Sequence, residues 1–417
     1  MKIRSPTLFS IGVNVSHIPT LSIDQAQKIV VLQNKLHFAK GGLKGVAAVL
    51  QGVEQMGYVQ IDSISVIARA HHHSLYNRVR GYQESQLDEL LAKKSIFEYW
   101  SHAAAYLPMR DYKYSLVRKN AIKQGEMHWF KTDQKMMSEV LTQVRDRGPL
   151  MAKDFAHKRE NVQGWWDWKP AKIALEQLFM QGDLMVSERR GFQKVYDLTQ
   201  RVIPSEVDQT VPSQEEYCRY LICHYLQAQG LAKANQFGYL LKGMKAPIKQ
   251  QLEVLLEQGE IIQLQVAGEL YYALADVEKI LLSKLPRQKV KILSPFDNLL
   301  IQRKRALELF NFNYQIECYV PEPKRRFGYF SLPILQGGSL VAQMDVKTHR
   351  KEGLMCINHL HCHCKNTEQL LEPLVQAIAE FMVFNQMEKV TISRVTNHQE
   401  IDDKALLSKL EASLIAI

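Results

Sequence analysis

Between residues 136 and 196 the chain carries a pattern that few folds accommodate. Three short amphipathic runs are followed by two β-prone segments around a charged turn. The spacing predicts a helix over 136–144, a turn at Arg145-Asp146-Arg147-Gly148-Pro149 and a short second helix over 151–156. A third helix follows over 172–181, with Ile173, Leu175, Leu178 and Phe179 as its apolar set. Residues 182–186 and 192–196 then read as strands joined by Ser187-Glu188-Arg189-Arg190-Gly191. Three helices and a hairpin with a basic tip make a winged helix, whose third helix and wing are the usual nucleic-acid contacts. Arg189, Arg190 and Lys194 are therefore candidate DNA contacts.

The pattern recurs on both sides. After Pro212, Ser213 caps a helix to Leu226, a second helix covers 245–258, and 259–262 pairs with 270–274 across Ala267-Gly268. That hairpin has little positive charge, so this module reads as mainly structural. Upstream, Ser22 and Asp24 are N-cap candidates for the first of two helical runs within 22–56, which lead to a strand at 58–64. Residues 83–125 read as helical, with Trp100 and His102 as packing residues and His102 bonded to backbone. The Trp165-Trp166-Asp167-Trp168 insert reads as packing rather than base stacking. From 289 onward short strands dominate, expected at 289–293, 299–302, 316–320, 328–332, 339–345 and 353–364. A closing helix over 367–388 ends the pattern, and the tail after 397 shows no evident chemistry. The fold class expected is α+β: three tandem winged helices (1–130, 131–205, 206–285) and a C-terminal β-barrel over 286–417.

A chain of 417 residues suits such a multidomain layout, and lysine plus arginine exceed aspartate plus glutamate by 53 to 43. That excess favours a polyanionic partner, nucleic acid first. No apolar run is long enough for a membrane span, no secretory leader is visible, and six cysteines make no disulfide framework. A cytoplasmic protein is expected.

The candidate chemistry lies in Gly57-Tyr58-Val59-Gln60-Ile61-Asp62-Ser63-Ile64. Alternation along an extended segment sends Val59 and Ile61 to one face and Gln60 and Asp62 to the other. A carboxylate there can take a proton from water while the neighbouring amide orients that water. Further donors follow in His71, His72, His73 and Arg78, read as phosphate contacts or a polar loop, since consecutive histidines diverge and seldom share one ion. Lys324, Arg325 and Arg326, beside Phe327, suit a duplex backbone, with a merely solvated loop as the alternative. In His359-Leu360-His361-Cys362-His363-Cys364 the histidines and cysteines face opposite ways on a strand, a poor metal site. No metal and no organic cofactor are expected, and neither a Walker loop nor a dinucleotide glycine motif is present.

Gln60-Ile61-Asp62 is followed in order by Tyr99-Trp100-Ser101-His102-Ala103, Trp166-Asp167-Trp168-Lys169, Ser294-Pro295-Phe296-Asp297, Arg303 and Lys324-Arg325-Arg326-Phe327-Gly328-Tyr329. Together they resemble the AlkZ/AlkX (YcaQ-type) family of bacterial winged-helix DNA glycosylases, over about residues 20 to 395. The resemblance implies three winged helices and a β-barrel. It also implies monofunctional hydrolysis of the N-glycosidic bond of N7-alkylated guanine, including unhooking of interstrand crosslinks. Its Gln-x-Asp form is that of the AlkX branch, which accepts a wider range of alkylated purines. Gln60 and Asp62 would be catalytic, and the partner would be double-stranded DNA bound by a monomer. The family also looks like one that works on a base left in or near the stack. The alternative from another class is a non-catalytic winged-helix regulator, for which Gln60 and Asp62 would be ordinary surface residues. A metal-dependent nuclease is a third reading, which the lack of a carboxylate cluster disfavours.

Overall fold

The structure is a computed structural model that describes residues 18–37, 43–126, 133–155, 170–364, 367–397 and 403–415. The chain divides into two compact units. The smaller takes 40–63 and 79–217, the larger 1–39, 64–78 and 218–417.

The smaller unit holds two three-stranded antiparallel sheets. In the first, helix Gly45–Met56 stops at Gly57, whose φ of +77° only glycine adopts without strain. Strand Val59–Gln60 follows and pairs with Ala104–Pro108, which pairs in turn with Ile96–Trp100. A hairpin thus stands where a helical run was expected over 83–125, between helices Glu84–Ala92 and Tyr112–Lys123. The reason is local. Lys94 turns the chain at a φ of +58°, and the aromatic run Phe97, Tyr99, Trp100 favours a pleated surface over a helix.

The second sheet follows the spacing read from the sequence. Helix Gln134–Arg147 ends at Gly148, and helix Pro170–Met180 leads into strands Leu184–Arg190 and Gln193–Leu198. The expected second helix is replaced at its start by strand Leu150–Met151, paired with Gln193–Leu198, and a single 3-10 turn over Ala152–Asp154. The tryptophan insert lies outside the described residues. Val140, Val144, Leu175, Leu178, Leu184 and Tyr196 pack with Phe97 and Tyr99 in one core.

In the larger unit a third hairpin, Ile261–Val266 with Glu269–Leu274, turns at Ala267-Gly268 with both residues at positive φ. Helices Gln214–Gln229 and Lys245–Glu257 precede it, and Ser213 caps the first through its bond from the Glu216 N–H. Ser22 caps helix Ile23–Gln33 in the same way with Gln25.

The C-terminal strands form an open sheet, which corrects the expected barrel. Their order is Val290–Ile292, Ser331–Gln336, Ser339–His349, Leu354–Cys362 and Lys389–Ile392, with Val395–Asn397 also beside Leu354–Cys362. Residues 299–302 and 316–320, read as strands, make turns, and Leu299 and Leu300 bury before an unexpected helix, Arg303–Phe310. Helix Glu368–Asn385 carries the chain back across the sheet, so the last strands run parallel to Leu354–Cys362. The tail forms helix Asp403–Ile415 and adds Leu406, Leu410 and Leu414 to the core. Among the described residues no helix is long and apolar enough to cross a membrane.

Candidate active site

Gln60 closes a short strand, and pairing continues one residue further through the Ile61 N–H to the Ala104 carbonyl at 2.8 Å. Val59 and Ile61 are buried, as the alternation required, but Gln60 is buried too, at 8% exposure, while Asp62 is half-buried. What covers Gln60 is the tip of the 96–108 hairpin. Ser101-His102-Ala103 turns there, closed by the Ser101 N–H on the Ala103 carbonyl at 2.9 Å, and His102 Nε2 reaches Gln60 Oε1 at 3.0 Å.

An amide oxygen only accepts, so the Nε2 of His102 carries the proton in that bond. Burial pulls the His102 pKa down to about 4, which leaves the imidazole neutral near pH 7. The Tyr58 ring meets it edge-on at 5.1 Å between centroids. The arrangement fixes the carboxamide from its oxygen side and aims its NH2 group elsewhere. The sequence favours His102 as a packing residue bonded to backbone, with a place near the site as the lesser reading; its partner in the structure is the Gln60 side chain. The Ser101-His102-Ala103 turn between an aromatic run and Tyr106 is the local signal of this hairpin.

Three cations of the wing are distributed unequally. Arg189 makes a bidentate pair with Glu98 at 2.8 and 2.8 Å, with both side chains almost fully buried. Lys194 bonds Glu176 at 3.0 and 3.1 Å and stands 3.6 Å from Glu98. Only Arg190 is open to solvent, in an exposed pair with Glu188. Beside the 96–108 hairpin, Lys119 is enclosed by Phe97, Tyr99 and Tyr112, its Nζ 4.0 Å from the Tyr112 ring centre with no hydrogen bond among the described residues.

In the larger unit His71, His72, His73 and Arg78 lie on or just after helix Ala70–Tyr76 and are 3, 9, 1 and 8% exposed. The His73 Nε2 sits 2.8 Å from the Ile292 carbonyl, and burial lowers the pKa of His72 and of His73 to about 4. Arg78 grips Asp297 at 2.6 and 2.8 Å with both side chains buried. Asp297 belongs to the Ser294-Pro295-Phe296-Asp297 motif, and Arg303 bonds the Pro295 carbonyl of that motif at 2.6 Å. These partners are protein groups.

Lys324, Arg325 and Arg326 lie on a loop whose backbone is held from beneath. The buried Glu317 carboxylate accepts the N–H groups of Arg326, Phe327 and Gly328 at 2.8 to 3.1 Å. Lys324 and Arg326 are exposed, while Arg325 donates to the Val320 carbonyl and lies over Tyr329. On the neighbouring strands His359 Nε2 and His361 Nδ1 both reach Thr396 Oγ1 at 2.7 Å. Among the described residues no group of three histidines, cysteines or carboxylates is placed to hold a metal ion.

A family model described as DNA glycosylase AlkZ-like matches residues 53–381. Among solved structures, Streptomyces sahachiroi DNA glycosylase AlkZ is similar at a TM-score of 0.59 and 16% identity, covering 90% of this chain and 100% of that one. At that identity the structural likeness speaks for the fold, whereas the family match spans most of the sequence and takes in Gln60, Asp62, His102 and the 324–326 loop. The chain therefore belongs to the AlkZ-like DNA glycosylase family.

Proposed function

We propose that this glycosylase hydrolyses the N-glycosidic bond of N7-alkylated purines, crosslinked guanine included, with water as the nucleophile. The carrying observation is the Gln60-Ile61-Asp62 stretch with Gln60 seated against His102, inside a chain of this family. An N7-alkylguanine is already cationic and leaves readily, so the catalyst must supply a placed water and negative charge near the developing oxocarbenium ion. Asp62 serves as general base and electrostatic stabiliser. Gln60 orients the water through its amide NH2, and His102 is a positioning residue that fixes the amide. A monofunctional route of this kind forms no Schiff base and calls for no metal or organic cofactor.

The three sheets with their helices are taken as three winged-helix modules that hold double-stranded DNA, the chain acting as a monomer in the cytoplasm. Arg190, Lys324, Arg325 and Arg326 are the phosphate contacts this reading retains. An exposed pair such as Arg190–Glu188 contributes little and exchanges easily for a phosphate. His71, His72, His73, Arg78, Arg189 and Lys194 are assigned instead to holding the scaffold, because their partners are already protein groups or their rings are buried.

The test is a single-turnover assay with chelator present, on one duplex carrying N7-methylguanine and one carrying a nitrogen-mustard crosslink. Wild type and Asp62→Asn are compared after alkaline cleavage of abasic sites. Base release by wild type, lost by about 100-fold or more in Asp62→Asn with duplex binding kept, is the expected outcome. Equal rates would remove Asp62 from its role. Tight binding to undamaged duplex without release from either substrate would favour the regulator.

A further inference from the structure

The turn ahead of helix Lys245–Glu257 contains a leucine that is costly in two independent ways. Gly238-Tyr239-Leu240-Leu241 closes through the Leu241 N–H on the Gly238 carbonyl at 2.9 Å. Leu240 occupies the third position of that turn at a φ of +60°, where glycine or asparagine is the unstrained choice. Six non-glycine residues take positive φ among the described residues, and Leu240 is the only large apolar one. Its side chain is also 68% exposed, with Tyr239 beside it at 37%. A lone exposed leucine is ordinary. One held out at a tip in a left-handed conformation is a backbone outlier of the kind that collects at functional sites.

The turn is built to keep its shape. Phe237 anchors it in the core against Tyr225 and Tyr272, and the Gln302 amide bonds the Gln236 carbonyl at 3.0 Å. A side chain at Gly238 would bring its Cβ within 2.8 Å of Ile248, so helix and turn touch closely. Along the sequence on either side of the tip the charge has one sign. No aspartate or glutamate lies between Glu216 and Glu253, while Lys233, Lys242, Lys245 and Lys249 do. Carboxylates of Glu269 and Glu308 hold Lys233, but among the described residues no ion pair engages Lys242, Lys245 or Lys249, all exposed.

A rigid apolar tip flanked by unengaged lysines matches one partner in particular, the base stack of a DNA duplex. Proteins that deform DNA insert leucine or a similar side chain between base steps while cations hold the adjoining phosphates. We infer that Leu240, backed by Tyr239, is a wedge that enters the duplex stack, with Lys242 and Lys245 on the phosphates. A wedge opens a base step without extruding a base, so a duplex whose strands are crosslinked remains a usable partner. The inference rests on the reading of this chain as acting on duplex DNA. It also gives the third module, whose hairpin has little positive charge, a contact through its turn.

The experiment uses the full chain and a set of N7-methylguanine duplexes with 2-aminopurine placed at successive positions, one per duplex. Unstacking raises 2-aminopurine fluorescence. Wild type is expected to raise it at one step. Leu240→Gly, which relaxes the turn rather than breaking it, should cut that rise by about tenfold or more while the thermal midpoint stays equal or higher. Lys242→Ala with Lys245→Ala should weaken binding and shallow its salt dependence. An undiminished rise in Leu240→Gly overturns the wedge. So does wild-type base release with no rise at any position, and the glycosylase reading then survives alone. A Leu240-dependent rise without base release keeps the wedge and sinks the proposed substrate. Absence of both duplex binding and base release overturns both.

Discussion

At the scale of single residues, the bond from His102 to Gln60 makes the sharpest claim. A neutral imidazole that only fixes an amide should be replaceable by another donor. His102→Ala is expected to lower the single-turnover rate by about 10-fold or more with duplex affinity kept, and His102→Asn to recover part of the loss. Because burial holds the His102 pKa near 4, no inflection of the rate from this group should appear between about pH 5.5 and 8. A wild-type inflection near pH 6.5 that vanishes in His102→Asn would contradict the positioning role. Lys119 offers a second residue-scale test, on stability. Burial lowers its pKa to about 7, so from there up to its unfolded value the folded chain holds fewer protons than the unfolded one. Stability therefore rises with pH across that window as the cost of charging a buried amine fades. The expected result for Lys119→Met is a higher melting temperature, with the gain largest at about pH 7 and below and shrinking toward pH 10. A gain that does not change with pH would mean that packing, not charge, is responsible.

At the scale of elements, the loop at 324–326 is a device for presenting charge at low entropic cost. Glu317 satisfies three consecutive backbone N–H groups from below, so the cations meet a partner on a backbone already in place. Changing Lys324, Arg325 and Arg326 together to alanine should weaken duplex binding and reduce the slope of log affinity against log salt by about two to three. Glu317→Ala should lower affinity with all three cations still present. An unchanged slope in the triple variant would take this loop off the DNA face. The charge of the loop was legible in the sequence, whereas its support was not, since Glu317 lies nine to eleven residues away from the groups it holds. The same division recurs elsewhere. Helix Gln134–Arg147 and its hairpin were readable because period and turn residues are local signals. The 96–108 hairpin was missed because its strands gain their stability from each other and from Val59–Gln60 across the sheet. The barrel failed for a related reason: residues 299–302 and 316–320 have strand-like composition, but 299–302 turn into helix Arg303–Phe310 and 316–320 run through irregular backbone into a turn with Tyr319 exposed.

At the scale of the whole molecule, the chain passes between its two units four times, so neither unit is continuous in sequence. Local pattern cannot reveal such threading, and the residues that looked most like ligands for phosphate beyond the Gln60 strand illustrate the consequence. His71, His72, His73 and Arg78 belong to a short segment, 64–78, that the larger unit captures, and their side chains are buried. Arg78 is the firmest of these anchors. Its guanidinium meets both oxygens of Asp297, which also accepts the Leu299 N–H at 3.0 Å, with neither side chain open to water. A buried pair adds little net stability over a well-packed apolar pair, yet removing one member strands the other's charge. Arg78→Met and Asp297→Leu are each expected to lower unfolding free energy by about 3–5 kcal/mol, and the double variant by clearly less than their sum. Denaturant midpoints for the four proteins close the cycle. Additive losses would mean that the two residues act separately and that segment 64–78 is held by its apolar side chains, Ile67 and Leu75 foremost.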